Sequence, residues 1–168
     1  MRPRKVTHPS LSLPSEGAIS VGSFNAMLAD ATPLAGYLKV RAERIGAGEA
    51  VACIPFTAGA LRPGGTYSGP ALMTLIDVCM YAAVLGLIGD DPRPLTTNVT
   101  INFLRRPPRR DLIARCNLLS RGSDFVVGSV VVHPEGDASD LVCSSTCTYA
   151  LPVVGKRRPD ASSPAPTN

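Results

Sequence analysis

The chain has 168 residues, 45% of them hydrophobic, which is enough for one compact domain with a single core and hardly enough for two. A net charge of +4 is spread unevenly: the excess gathers in Arg2, Arg4 and Lys5, in the stretch 105–110 and in 156–158. With no Trp and an aromatic content of 5%, this local basicity argues against a nucleic-acid partner and favours contact with a small phosphorylated ligand.

Residues 1–20 are rich in Pro, Ser and basic side chains without periodicity, and are expected to form a mobile N-terminal segment. Their basic start is not followed by an apolar stretch, so a secretion signal is not expected and the cytoplasm is the default location. Phe24, Met27 and Leu28 predict a short helix over 23–31, capped by Ser23 and interrupted by Pro33. Two strands follow, over 37–44 and 49–55, with Gly46-Ala47-Gly48 as the turn of a hairpin.

Arg62-Pro63-Gly64-Gly65 reads as a loop that leads into Ser68-Gly69-Pro70. Proline is favoured at the first helical position, where its missing N–H would have had no partner, so a helix is predicted to start near Pro70. The stretch 70–88 carries a single charge, Asp77, and is nearly long enough to cross a bilayer. A carboxylate inside it would cost about 2.5–3.5 kcal/mol on insertion scales, and Asp90-Asp91 replaces the basic anchor a span would need, so no membrane partner is expected. Apolar residues on every side of the stretch predict a helix buried all round.

Four segments rich in Val, Ile, Thr and Phe then predict strands over 95–104, 111–119, 125–133 and 141–151. Residues 152–168, with four prolines, complete the chain as a mobile tail, leaving one domain over 21–151. Two strands, a long helix and a run of strands describe an α+β fold, an antiparallel sheet curled round a central helix. The five cysteines form no Cys-x-x-Cys pair and have no His at metal-ligand spacing. They read as reduced, mostly buried thiols, with no metal site.

Asp77 is the chemical anomaly, because its helical neighbours Met73, Thr74, Met80 and Tyr81 are uncharged. It is expected to be buried or at a protein interface, either as a structural group bonded to Thr74, Tyr81 or a loop, or as a functional one. A desolvated carboxylate is a stronger base when ionised, and such groups cluster at active sites. Eight residues earlier, the Gly69 N–H at the helix start is placed to polarise a carbonyl oxygen, although Gly-Pro is also an ordinary helix start.

The run from Arg62 to Asp77 resembles the signature of the PaaI-like hotdog thioesterases, Asn-Pro-x-Gly-x-x-His-Gly-Gly followed by a helix that carries Asp. Thr96-Thr97-Asn98-Val99-Thr100-Ile101-Asn102-Phe103-Leu104-Arg105 is similar to that family's next strand, which ends in Asn-Phe-Leu-Arg-Pro. The likeness covers residues 23–151. It implies a hotdog fold and hydrolysis of an acyl-coenzyme A thioester, with coenzyme A as part of the substrate and no separate cofactor. It also implies a homodimer or homotetramer, in which the Gly69 N–H holds the thioester carbonyl while Asp77 of a neighbouring subunit activates water or attacks.

Three positions depart from the family pattern: Arg62 replaces Asn, Ser68 replaces His and Pro70 replaces the second Gly. Arg62 and Ser68 remain candidate substrate contacts, as do Arg105, Arg106 and Arg121 for the phosphates of coenzyme A. Asn98 and Asn102, on one strand face with Thr100, are candidates for the acyl or pantetheine channel, though polar cross-strand pairing explains them equally well. Two other readings stay open: a binder that senses acyl-coenzyme A without turnover, and a hydratase or dehydratase. The latter needs a His paired with an acid, and no His lies between residues 9 and 132.

Overall fold

A computed structural model describes residues 16–152; the expectations for residues 1–15 and 153–168 lie outside the described residues. Residues 16–20, expected to be mobile, are instead tied to the domain. Glu16 bridges Gly46, the Ala18 N–H donates to the Gly86 carbonyl at 2.8 Å, and Ile19 is buried.

The elements run α1 (Val21–Ala31), α2 (Pro33–Leu38), β1 (Arg41–Gly46), β2 (Glu49–Ile54), β3 (Leu61–Arg62), β4 (Thr66–Tyr67), α3 (Gly69–Ile88), β5 (Leu95–Phe103), β6 (Leu112–Arg121), β7 (Phe125–Pro134) and β8 (Cys143–Ala150). The cap of α1 is Ser20, not Ser23: its Oγ accepts from the Ser23 N–H at 3.0 Å. Pro33 does not only stop α1; it opens α2 from the first-turn position that tolerates it. The first strand therefore begins at Arg41 instead of residue 37. The backbone reverses at Lys39, in the left-handed region at φ 57°, and the Val40 N–H donates back to the Ala35 carbonyl at 2.9 Å.

Six strands form one antiparallel sheet in the order β1-β2-β6-β7-β8-β5, curled round α3. Twelve of the 20 residues of α3 are buried, among them Leu75, Ile76, Met80 and Leu85 with no exposed surface. Burying each large aliphatic side chain is worth about 1.5–3 kcal/mol, so the helix that could span a bilayer by length and composition is here the core of the fold. Gly86 lets it touch β1, since a Cβ there would stand 2.2 Å from the Gly46 carbonyl oxygen. This is the hotdog architecture that the resemblance implied.

The sheet has two unlike edges. Along β1, the Asn25 side chain donates to the Ala42 carbonyl at 2.9 Å and accepts from the Ala42 N–H at 2.8 Å. Along β5, eight of whose nine residues pair with β8 on one side, no strand among the described residues lies on the other, and Phe103 and Leu95 are at least half exposed.

Candidate active site

Asp77 lies in the third turn of α3, half-buried, where two hollows meet. The first, about 480 Å³, runs between α3 and β5 and is walled by Met73, Thr74, Thr96, Val99, Ile101 and Phe103. The second, about 300 Å³, lies toward α1 and includes Met27, Leu28, Tyr81 and Tyr149. The carboxylate is therefore not sealed in a dry core of the single chain. Neither Thr74 nor Tyr81, its helical neighbours, bonds to it: Thr74 Oγ1 donates to the Pro70 carbonyl at 2.9 Å and the Tyr81 hydroxyl to the Pro92 carbonyl at 3.2 Å.

Its partners come from the sheet. Thr96 Oγ1 donates to Asp77 Oδ1 at 2.8 Å and the Tyr149 hydroxyl to the same oxygen at 2.5 Å. Among the described residues no donor reaches Oδ2. Burial, and then the charge of Asp77, pushes the Tyr149 phenol far above its usual range, so it stays protonated as a donor. Sequence reasoning missed both residues as site members. Tyr149 is 72 positions from Asp77, and no local spacing signals such a contact.

At the start of α3, Ser68 is the N-cap and its Oγ accepts from the Ala71 N–H at 3.3 Å. Pro70 has no N–H and the Leu72 N–H donates to the Ser68 carbonyl at 3.2 Å. The Gly69 N–H alone in this first turn has no acceptor among the described residues, and the space a Cβ would occupy there is open. An uncommitted amide at the positive end of a 20-residue helix suits a developing oxyanion.

The basic segment braces this helix start. Arg106 donates to the Gly64 carbonyl at 2.8 Å, Arg109 to the Gly65 carbonyl at 3.2 Å, and Thr66 Oγ1 to the Pro107 carbonyl at 3.2 Å. Gly64 and Gly65 have φ of +97° and +69°, the left-handed region that favours glycine, and the Arg109 guanidinium lies where a side chain on Gly65 would stand. Arg109, not among the sequence candidates, is thus part of the scaffold of the site.

The other candidates separate. Arg62 is exposed at the tip beside Pro63, and its guanidinium donates to the Pro63 carbonyl at 3.4 Å. Arg105 is exposed and ion-paired with Asp140. Arg121 does not join this cluster: it ends β6, about 30 Å along the strand from Leu112, and lines a separate hollow beside Gly48 and Asn117. Asn98 and Asn102 do not line the cleft with Asp77. They pair with Thr148 and Ser144 on the outer face, whereas Val99, Ile101 and Phe103 take the inner one. Among the described residues no group of three or more His, Cys, Asp or Glu is placed to hold a metal ion.

Residues 64–140 match the family model described as thioesterase superfamily. Among solved structures, a candidate thioesterase from Silicibacter sp. is 33% identical with a TM-score of 0.72, the match covering 82% of this chain and 94% of that one. The phenylacetic acid degradation protein PaaI from Thermus thermophilus, as a point mutant, is 23% identical with a TM-score of 0.62, covering 70% and 97%. A hypothetical thioesterase from Streptococcus pneumoniae, solved with coenzyme A, is 21% identical with a TM-score of 0.63, covering 78% and 95%. No curated protein sequence gives a significant match.

Proposed function

This chain belongs to the thioesterase superfamily, and on that premise we propose that it hydrolyses an acyl-coenzyme A thioester to a free acid and coenzyme A. The observation that carries the reading is a carboxylate with one uncommitted oxygen at the meeting of two hollows, on the same helix as an uncommitted amide at its start.

Those two groups stand eight residues apart, about 12 Å along the axis, so one chain cannot bring both to a single carbonyl. A second copy can. The free edge of β5 and the apolar wall of the first hollow are suited to a two-fold partner, which would set Gly69 of one chain against Asp77 of the other and give two sites per dimer. The exposed Arg106, bonded to the turn that precedes Gly69, and its chain neighbour Arg105 suit the phosphates of coenzyme A, and five buried free cysteines suit a reducing compartment such as the cytoplasm.

Asp77 takes a proton from water, whose oxygen bonds to the carbonyl carbon while the carbonyl electron pair moves onto the oxygen held by Gly69. The C–S bond then breaks and the thiolate recovers the proton. Direct attack by the carboxylate gives a mixed anhydride that water opens to the same products.

The test is thiol release across aromatic and aliphatic acyl-coenzyme A esters. Asp77→Ala should lower it about a hundredfold or more with the oligomer intact. Near-wild-type turnover in that variant would remove Asp77 from the chemistry. A rise in melting temperature with ligand, but no thiol release by the unaltered protein, would identify a sensor instead.

A further inference from the structure

Asp77 is held by the sheet and not by its own helix, and both of its donors meet the same oxygen. Tyr149 is 2% exposed, and its ring stacks on Tyr81 with centroids 6.3 Å apart. Its hydroxyl reaches both the Asp77 carbonyl oxygen at 3.2 Å and Oδ1 at 2.5 Å, so ring and carboxylate are fixed against each other. Thr96 arrives through a different device. The register of β5 on β8 slips between Thr96 and Asn98, and the extra residue, Thr97, turns Thr96 onto the inner face beside Tyr149. Bulges that re-aim a side chain in this way are frequent next to active sites.

We propose that Tyr149 and Thr96 are positioning residues of the thioesterase reaction, which immobilise Oδ1 of Asp77 and leave Oδ2 as the oxygen that reacts. This rests on the reading of Asp77 as the catalytic carboxylate. An unrestrained aspartate samples several rotamers, and each one not aimed at the substrate lowers the fraction of productive encounters. Two hydroxyl donors on one oxygen select one rotamer. The Tyr149 phenol, kept protonated by its burial, supplies its donor at every working pH.

Tyr149→Phe keeps the buried ring and removes only the hydroxyl. It should lower kcat about tenfold and change KM less than twofold. Thr96→Val should act in the same direction and Thr96→Ser should restore kcat. Asp77→Asn is measured beside them. Wild-type kcat in Tyr149→Phe, with Asp77→Asn inactive, overturns the positioning roles and leaves Asp77 standing. An active Asp77→Asn overturns both. If Tyr149→Phe does not fold, the Thr96 pair decides: equal kcat in Val and Ser variants overturns the proposal, and loss in Val with recovery in Ser supports it.

Discussion

The two edges of the sheet have been treated in opposite ways. β1 is closed: Asn25 satisfies both backbone groups of Ala42, Glu16 bridges Gly46, and Phe24 and Leu28 of α1 pack into the core beside it. β5 is three residues longer, carries Val99, Ile101 and Phe103 toward the first hollow, and has no such cover among the described residues. An uncovered edge of that length is an aggregation hazard unless another chain pairs with it. The edge that has been left open is also the one beside Asp77, so the shared-site proposal makes pairing and catalysis a single design.

The largest effect that can break this comparison is expected from Ile101→Lys. A charge on the inner face of the open edge should leave a monomer by light scattering and reduce thiol release about a hundredfold, whereas an active monomer would separate the edge from the site. Asn25→Ala acts on the closed edge and leaves two Ala42 backbone groups unpaired. It should cost about 2 kcal/mol in urea unfolding while the oligomer and its kcat persist. Next in size, Arg105→Ala with Arg106→Ala should raise KM several-fold and lower kcat less, and an unchanged KM would remove both from the substrate.

The smallest difference, between the wild type and Ile101→Lys, sharpens the comparison by showing what the edges share. Burial raises Cys53 on β2 to about 11 and Cys79 on α3 to about 12, and raises Cys143 and Cys147 on β8, next to the open edge, to about 11, from 9.0. Between pH 9 and 11 the unfolded chain loses thiol protons that the folded chain keeps, so stability falls as pH rises through that window. Melting temperatures at pH 8 and 10 should show the same drop in the wild type and in Ile101→Lys, because the thiols on both sides are core groups.

Much of the architecture was legible because it is written locally. Ser68-Gly69-Pro70 marks the start of α3, the all-round apolar pattern marks its burial, and alternating Val, Ile and Thr mark the strands. What escaped depends on contacts between distant residues. α2 went unrecognised, and the strand expected over 37–44 overlaps its last two residues, because six residues from Pro33 to Leu38, with Leu34 and Tyr37 exposed, show no helical stripe. Of the site, Asp77 and Gly69 stood out by type and place, but Asn98 and Asn102 were placed in the channel because alternation alone cannot say which face is inward. Arg121 was grouped with Arg105 and Arg106 by charge, although β6 carries it to the far end of the sheet. Thr96 and Tyr149 meet Asp77 across 19 and 72 residues, a separation at which no sequence period survives.

The spacing of Gly69 and Asp77 along one rigid rod has a genetic corollary. On the shared-site reading, a subunit spoiled at the amide end and another spoiled at the acid end are complementary invalids. Mixed and allowed to exchange, two dead preparations of Gly69→Val and Asp77→Ala should regain roughly a quarter of normal turnover, since half the pairs are hybrids and each hybrid rebuilds one sound site while concentrating both injuries in the other.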